Sequence, residues 1–102
     1  MFAAITLVAT IAFTSPLVSA RVMQETIRVH NCEEPRWNVD GPKYFGGLGW
    51  LDATWLTFKR KDFPRYMSEA TPQQQAWAMA RFGQKYGWPD QRPGSNHCTG
   101  GY

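Results

Sequence analysis

The chain has 102 residues, with 11 lysine and arginine residues against 8 aspartate and glutamate residues and a formal net charge of +3. This length allows one domain and excludes a two-domain enzyme, a dinucleotide-binding α/β unit or an α/β barrel. The charge is mild and the basic residues are scattered apart from Lys59-Arg60-Lys61, which argues against a dedicated nucleic-acid-binding protein and leaves an acidic polymer as a candidate partner.

Residues 1–20 are predicted to form a secretory signal peptide. Residues 1–13 are almost all apolar or small, Thr14-Ser15-Pro16 breaks a helix, and Val18-Ser19-Ala20 supplies the small residues that signal peptidase requires. Cleavage after Ala20 leaves residues 21–102 as the mature domain, outside the cytoplasm. The alternative is a retained membrane anchor, for which the hydroxyl residues and the proline of this segment make a poor span.

The mature chain is predicted to begin with a short amphipathic helix over residues 22–33. Its apolar residues lie close to helical spacing, and Pro35 must end the helix. The prediction places Cys32 and Glu33 in the last turn, where the negative end of the helix dipole disfavours a charged carboxylate.

Residues 37–50 are rich in glycine and aromatic residues. Gly46-Gly47 lies between Tyr44-Phe45 and Leu48, a pattern that predicts a tight hairpin or a loop pressed against a groove. We therefore expect a small β-like flap here rather than an extended sheet.

Two further helices are indicated by the residues at their starts. Asp52 is predicted to cap a helix that continues to Lys59 and that Pro64 keeps short. Thr71-Pro72-Gln73-Gln74 has the capping-box pattern, so the next helix is expected to run to about Tyr86, with Gly87 as its stop. A stripe of small residues along it allows another element to approach closely: Ala76, Ala80 and Gly83.

Cys32 and Cys98 are the two cysteines, and in an exported chain a disulfide is the expected form. In the chain-entropy model, closing so long a loop removes about 4 kcal/mol of unfolded-state freedom, a large share of the stability of a small domain. The alternative is a zinc site, because His30 and His97 flank the cysteines, although they lie closer to them than zinc ligands usually do. Otherwise the two histidines are interpreted as surface or packing residues.

Carboxylates are the remaining candidates for chemistry, since the chain has no serine-histidine-aspartate set and no phosphate-binding loop. Glu33-Glu34 lies at a helix end and is followed by the aromatic, glycine-rich segment. Proteins grip sugars with aromatic rings and cleave them with a carboxylic acid that protonates the glycosidic oxygen. The plainer interpretation is a solvated helix end beside tryptophans that form the core.

The order of the residues adds to this signal. Cys32-Glu33 and Trp37 precede one unbroken run, Tyr44-Phe45-Gly46-Gly47-Leu48-Gly49-Trp50-Leu51-Asp52-Ala53-Thr54-Trp55. In this order they resemble the catalytic core of the resuscitation-promoting factors and their transglycosylase-like relatives, which show Cys-Glu, an aromatic-Gly-Gly-aliphatic segment and Thr-Trp. The later features that are similar to the family's helix and tail are Ala70-Thr71-Pro72 with Gln75, and Gly87-Trp88-Pro89 ahead of Cys98. The likeness covers about residues 22–102.

The resemblance implies a fold of the α+β class that is predominantly α: a reduced lysozyme-like domain over residues 21–102, with a small β-hairpin flap and one disulfide between Cys32 and Cys98. It implies that Glu33 is the catalytic acid, with Glu34 as the fallback. Tyr44, Thr54 and Gln75 match positions that line the family's sugar groove, and Trp37 and Trp50 are added as aromatic substrate-binding residues.

The chain departs from the family pattern at two places. Gly49 stands where the family usually has glutamine, so one polar contact to substrate is expected to be missing. Glu34-Pro35-Arg36 stands where the family often has Ser-Gly-Gly, and the stretch to the Gly-Gly segment is about two residues shorter.

The expected function is a secreted, peptidoglycan-cleaving enzyme of the lytic transglycosylase or muramidase type, which cuts between N-acetylmuramic acid and N-acetylglucosamine with one glutamate. The alternatives are a non-catalytic peptidoglycan-binding module and a small disulfide-stapled inhibitor or toxin. We expect a monomer without cofactor or metal in the secreted or cell-wall compartment, with glycan strands and a second wall hydrolase as candidate partners. Nucleic acid and stable membrane association after signal cleavage are not expected.

Overall fold

The computed structural model describes residues 16–89, and within them the chain is mostly helical. Three α-helices follow one another: α1 (Ala20–Glu33), α2 (Asp52–Phe58) and α3 (Pro72–Tyr86), with a 3₁₀ turn at Met67–Glu69 before α3. The predominantly helical prediction is confirmed. Most of the predicted signal peptide, His97 and the predicted disulfide partner Cys98 lie outside the described residues.

Helix α1 is the predicted amphipathic helix, begun two residues earlier. Ser19 caps it by accepting a hydrogen bond from the N–H of Val22 at 3.1 Å, so the predicted cleavage point after Ala20 lies within the first turn. The buried face includes Thr26, whose hydroxyl donates back to the carbonyl of Val22 at 2.8 Å. The helix ends where the N–H of Glu34 bonds to the carbonyl of His30, directly before Pro35.

Strand pairing in residues 16–89 is limited to two isolated antiparallel bridges, Asp40 with Phe45 and Phe45 with Trp50. Phe45 and Trp50 exchange both backbone hydrogen bonds, at 2.9 and 3.0 Å, and so close a four-residue turn. We call this turn, Gly46-Gly47-Leu48-Gly49, the glycine loop. Gly46 and Gly49 have φ of 71° and 63°, a conformation that glycine adopts without the steric cost of a side chain.

The predicted cap of α2 is wrong in its detail. Leu51 occupies the N-cap position and makes no side-chain cap hydrogen bond, whereas Asp52 is the first helical residue. Both carboxylate oxygens of Asp52 accept from Arg65, at 2.9 and 3.0 Å, so a partner distant in the chain takes the oxygens that a cap would use. The negative charge still lies at the favourable, positive end of the helix dipole.

Helix α3 begins and ends as the sequence predicts. Thr71 and Gln74 form both hydrogen bonds of the capping box, Pro72 is the first helical residue, and Gly87 ends the helix with φ of 85°. Gly83, a member of the predicted small-residue stripe, lies against Trp88, since a β-carbon there would be 2.7 Å from the indole nitrogen. Helices α1 and α2 both pack against α3.

The core is formed by large side chains between the three helices. Trp55 is fully buried and its indole N–H donates to the carbonyl of Pro64 at 3.1 Å. Trp50 packs against Phe58 and Phe82, with ring centroids 6.1 and 5.4 Å away, and its indole nitrogen has no hydrogen-bond partner among the described residues. Leu48, from the glycine loop, is also buried, so the loop is fixed to the core.

Candidate functional site

The last turn of α1 and the glycine loop meet at Gly49. A β-carbon at Gly49 would lie 3.1 Å from Oε1 of Glu34 and 3.3 Å from Oε2 of Glu33. Both glutamates are half-buried, and their carboxylates therefore share one small region above the loop backbone. Because Gly49 has no side chain, the loop leaves room for two carboxylates at this point.

His30 connects α1 to the glycine loop. Its Nδ1 is 2.8 Å from the carbonyl oxygen of Gly47, and its ring stacks on Trp37 with centroids 3.9 Å apart and planes at 17°. A carbonyl accepts only, so Nδ1 carries the proton in this contact and donates it. His30 is buried and lies one turn before Glu33. Its hydrogen bond to Gly47 therefore holds the last turn of α1, which carries Glu33, against the glycine loop.

Gln75, on α3, holds the preceding peptide group of the loop, between Gly46 and Gly47. Its Oε1 accepts from the N–H of Gly47 at 2.8 Å. Its Nε2 lies at hydrogen-bond distance from three carbonyls, those of Trp37 at 2.9 Å, Ala70 at 3.1 Å and Met67 at 3.2 Å. One amide therefore ties the glycine loop, the Trp37 backbone and the 3₁₀ turn to α3.

Close packing explains the glycine pair that precedes Leu48. A β-carbon at Gly47 would overlap the ring of Trp37 and lie 2.9 Å from Nδ1 of His30. A β-carbon at Gly46 would lie 2.5 Å from Cγ of Met67. The two glycines allow the loop backbone to lie directly against the side chains that hold it.

The structure brings some of the predicted site residues together and separates others. Glu33, Trp37 and Gln75 all surround the glycine loop, and Tyr44, half-buried with Lys43 Nζ 5.3 Å from its ring centroid, lies just before it. Trp50 and Gln75 are fully buried, so in this conformation they support the loop and present no surface to a substrate. The physical reason is that Trp50 packs against Phe58 and Phe82 in the core, and that Gln75 hydrogen-bonds to buried backbone groups.

Thr54 lies in a different feature, an open groove between α2 and α3. The groove has a volume of about 400 Å³ and is lined by Ala53, Thr54, Thr57, Phe58, Phe82 and Tyr86. Its floor residues Phe58 and Phe82 contact Trp50, the residue that follows Gly49. The groove and the glycine loop are thus connected through one buried indole.

The other nearby carboxylates have separate surroundings. Arg65 holds the pKa of Asp52 below its ordinary value by hydrogen bonding, so Asp52 is a stable anion engaged with a cation. Asp40 is exposed and pairs with Phe45 through its backbone. Glu34 is therefore the carboxylate that shares the surroundings of Glu33.

Within residues 16–89 there is no group of three or more histidine, cysteine, aspartate or glutamate side chains placed to hold a metal ion. Cys32 is exposed in the last turn of α1, beside Glu33, and its pairing with Cys98 stays a prediction. None of the helices in this part of the chain has the length and apolar composition needed to cross a membrane.

Sequence reasoning missed the roles of His30 and Gln75 as the two supports of Gly47. A signal for His30 was present, because residues three apart lie on the same side of a helix and His30 is three residues before Glu33. The carbonyls that Gln75 contacts come from distant segments, and no local pattern indicates them.

No family model matches the chain, and neither a curated protein nor a solved structure gives a significant match. Its function is therefore inferred from its own residues and their geometry.

Proposed function

We propose that the chain is a secreted peptidoglycan-cleaving enzyme of the lytic transglycosylase or muramidase type, in a reduced lysozyme-like domain with a hairpin flap and a Cys32–Cys98 disulfide. The supporting observation is the placement of the Glu33 carboxylate, half-buried at the end of α1 above Gly49. A carboxyl group is the kind of side chain that can protonate a glycosidic oxygen.

Glu33 performs both proton transfers in this reaction. Its carboxylic acid donates a proton to the glycosidic oxygen as the bond from that oxygen to the anomeric carbon of N-acetylmuramic acid breaks. The 6-hydroxyl oxygen of the same sugar then bonds to the anomeric carbon and gives its proton back to Glu33. The products are a shortened strand and a 1,6-anhydro end, and no water is consumed.

The position of Glu34 argues against inverting hydrolysis by Glu33 and Glu34 as a pair. Inverting glycosidases place their carboxyl groups on opposite faces of the sugar, at least about 6.5 Å apart. Oε1 of Glu34 and Oε2 of Glu33 lie 3.1 and 3.3 Å from one point, the β-carbon position at Gly49, so these two oxygens are closer together than the carboxyl groups of an inverting pair. A single carboxyl that acts as acid and then base needs no second carboxylate.

The test compares wild type, Glu33→Gln and the matched variant Glu34→Gln on purified peptidoglycan, with the soluble products identified by mass spectrometry. We expect anhydro-ended muropeptides from wild type and from Glu34→Gln, and at least a hundredfold less product from Glu33→Gln because an amide is too weak an acid to protonate the glycosidic oxygen. Reducing ends would indicate hydrolysis. Lysis retained by Glu33→Gln would remove Glu33 as the acid.

A second candidate is a non-catalytic peptidoglycan-binding module. The surroundings of Glu33 favour it, because the two departures from the family pattern, Gly49 and Glu34, lie directly beside the Glu33 carboxylate, where a change can remove turnover and leave glycan binding. This candidate predicts that wild type and Glu33→Ala sediment equally with the wall and release no product.

A further inference from the structure

A second surface of the molecule carries several cations around one tryptophan. The guanidinium carbon of Arg60 lies 4.7 Å from the ring centroid of Phe63 and 5.7 Å from that of Trp77. The guanidinium of Arg81 lies 5.4 Å from the same Trp77 ring. Two arginines thus share one aromatic platform, which fixes their orientation.

Two exposed lysines lie close in the chain to these arginines. Lys61 follows Arg60 and is exposed, and Lys85 is exposed one helical turn beyond Arg81 on α3. We call Arg60, Lys61, Arg81 and Lys85 the basic row. Asp62, paired with Arg60 at 2.6 Å, is the one carboxylate in an ion pair with it among the described residues.

We propose that the basic row binds a phosphodiester polymer of the cell wall, a polyol phosphate chain, and holds the protein on its substrate. Arg60 donates from Nε and Nη2 to Asp62, and Arg81 donates from Nη1 to the carbonyl of Phe58. The remaining arginine donors match phosphate oxygens in geometry, and several cations on one surface fit a chain that repeats one negative charge per unit. The choice of a wall polymer rests on the proposed function, whereas the preference for a polyanion rests on the geometry alone.

The same geometry argues against other polyanions. Nucleic-acid-binding surfaces stack bases on exposed aromatic faces, but here Arg60 and Arg81 lie over Trp77, and Phe63 meets it edge to face at 5.3 Å. A membrane surface requires apolar side chains beside the charges. The large hydrophobic residues that are exposed in the described chain are Ile27, Leu56, Tyr66 and Tyr86. Of these, only Tyr86 is adjacent in sequence to a member of the basic row.

The experiment measures binding of the oxidised, secreted protein to soluble poly(glycerol phosphate) over a series of salt concentrations. Lys61→Gln/Lys85→Gln removes two charges from the basic row, and Arg21→Gln/Arg28→Gln removes two exposed charges from α1. We expect the first variant to bind about tenfold more weakly with a shallower salt dependence, and the second to stay within about twofold of wild type.

Several outcomes overturn the proposal. Equal losses in both variants would mean that net charge, not the row, is responsible. Equal affinity for single-stranded DNA or for phosphatidylglycerol vesicles, at matched charge concentration, would mean that no phosphodiester wall polymer is preferred. Glu33→Gln separates the two proposals, since it should keep polymer binding while losing cleavage. If wild type binds the polymer but yields no product from peptidoglycan, only the proposed function is removed.

Discussion

Gln75 places one side-chain amide where four backbone groups meet. Its oxygen accepts from Gly47, and its nitrogen faces the carbonyls of Trp37, Met67 and Ala70. The side chain is fully buried, so water cannot replace any of these bonds. A buried polar network of this kind is stable only when every member is satisfied.

Gln75→Glu is expected to lower the free energy of unfolding by about 3 kcal/mol or more at neutral pH, because the carboxylate keeps the acceptor and presents no donor to the three carbonyls. Burial raises the pKa of the introduced carboxyl above its unfolded value, so the deficit relative to wild type should narrow as pH falls. Urea unfolding at several pH values measures this, with the exposed Gln73→Glu as control. Equal midpoints for Gln75→Glu and wild type would contradict the role given to Gln75.

Gly49, which stands where the family usually has glutamine, has a role in the structure that the sequence did not indicate. From the sequence, glycine at this position signified only a missing polar contact. In the structure the space above its α-carbon is taken by the carboxylates of Glu33 and Glu34, the second of which is itself part of the other departure from the family pattern. Polar oxygens are therefore present at this point, supplied from α1 instead of from the loop.

At the scale of elements, some helix starts depend on residues close in the sequence and others on residues that are distant in it. The capping box of α3 is made by residues three apart, so the sequence predicts it completely. The start of α2 depends on Arg65, which is 13 residues from Asp52 and pairs with it through the fold. Aspartate before an apolar run is compatible with both arrangements, and only the position of Arg65 decides between them.

The pair of Asp52 and Arg65 predicts a pH dependence. The pKa of Asp52 is below its ordinary value of 3.8 because Arg65 hydrogen-bonds to the charged form. A depressed folded-state pKa means that the stabilisation is present above the ordinary value and is lost as pH falls below it. Asp52→Asn should therefore melt slightly lower than wild type at pH 7, with the difference narrowing as pH falls below 3.8.

Thermal melts of both proteins across this pH range measure the effect, which should be small because the pair is partly exposed to solvent. Arg65→Gln is the matched variant, since it removes the same pair from the other side and should give a similar shift. A gap between wild type and Asp52→Asn that is as large at pH 3 as at pH 7 would show that the aspartate stabilises α2 by another route.

For the whole molecule, the parts that the sequence predicts are those with local causes. Helix positions and the stop at Gly87 follow from periodicity and caps. The burial of Trp50 and Gln75 does not follow, because aromatic and amide side chains serve equally in a sugar groove and in a core. Which of these they join depends on how α3 packs against α1 and the loop.

The predicted disulfide connects this helical assembly to the C-terminal segment. Cys32 is exposed in the last turn of α1, so a bridge to Cys98 would hold the segment after Pro89 near Glu33. Closing this loop is expected to contribute about 4 kcal/mol, and reduction or Cys32→Ser/Cys98→Ser should lower the free energy of unfolding by a similar amount.

The measurement is urea unfolding of oxidised wild type, reduced wild type and the double variant, with peptide mapping to identify the cross-linked residues. The reduced protein and the double variant should coincide, because both lack the covalent constraint and little else distinguishes them. Their cleavage of peptidoglycan, measured where each is still folded, should also fall, since the constraint lies beside the catalytic candidate. Equal midpoints with and without reductant would show that the three helices and the glycine loop are stable without the bridge.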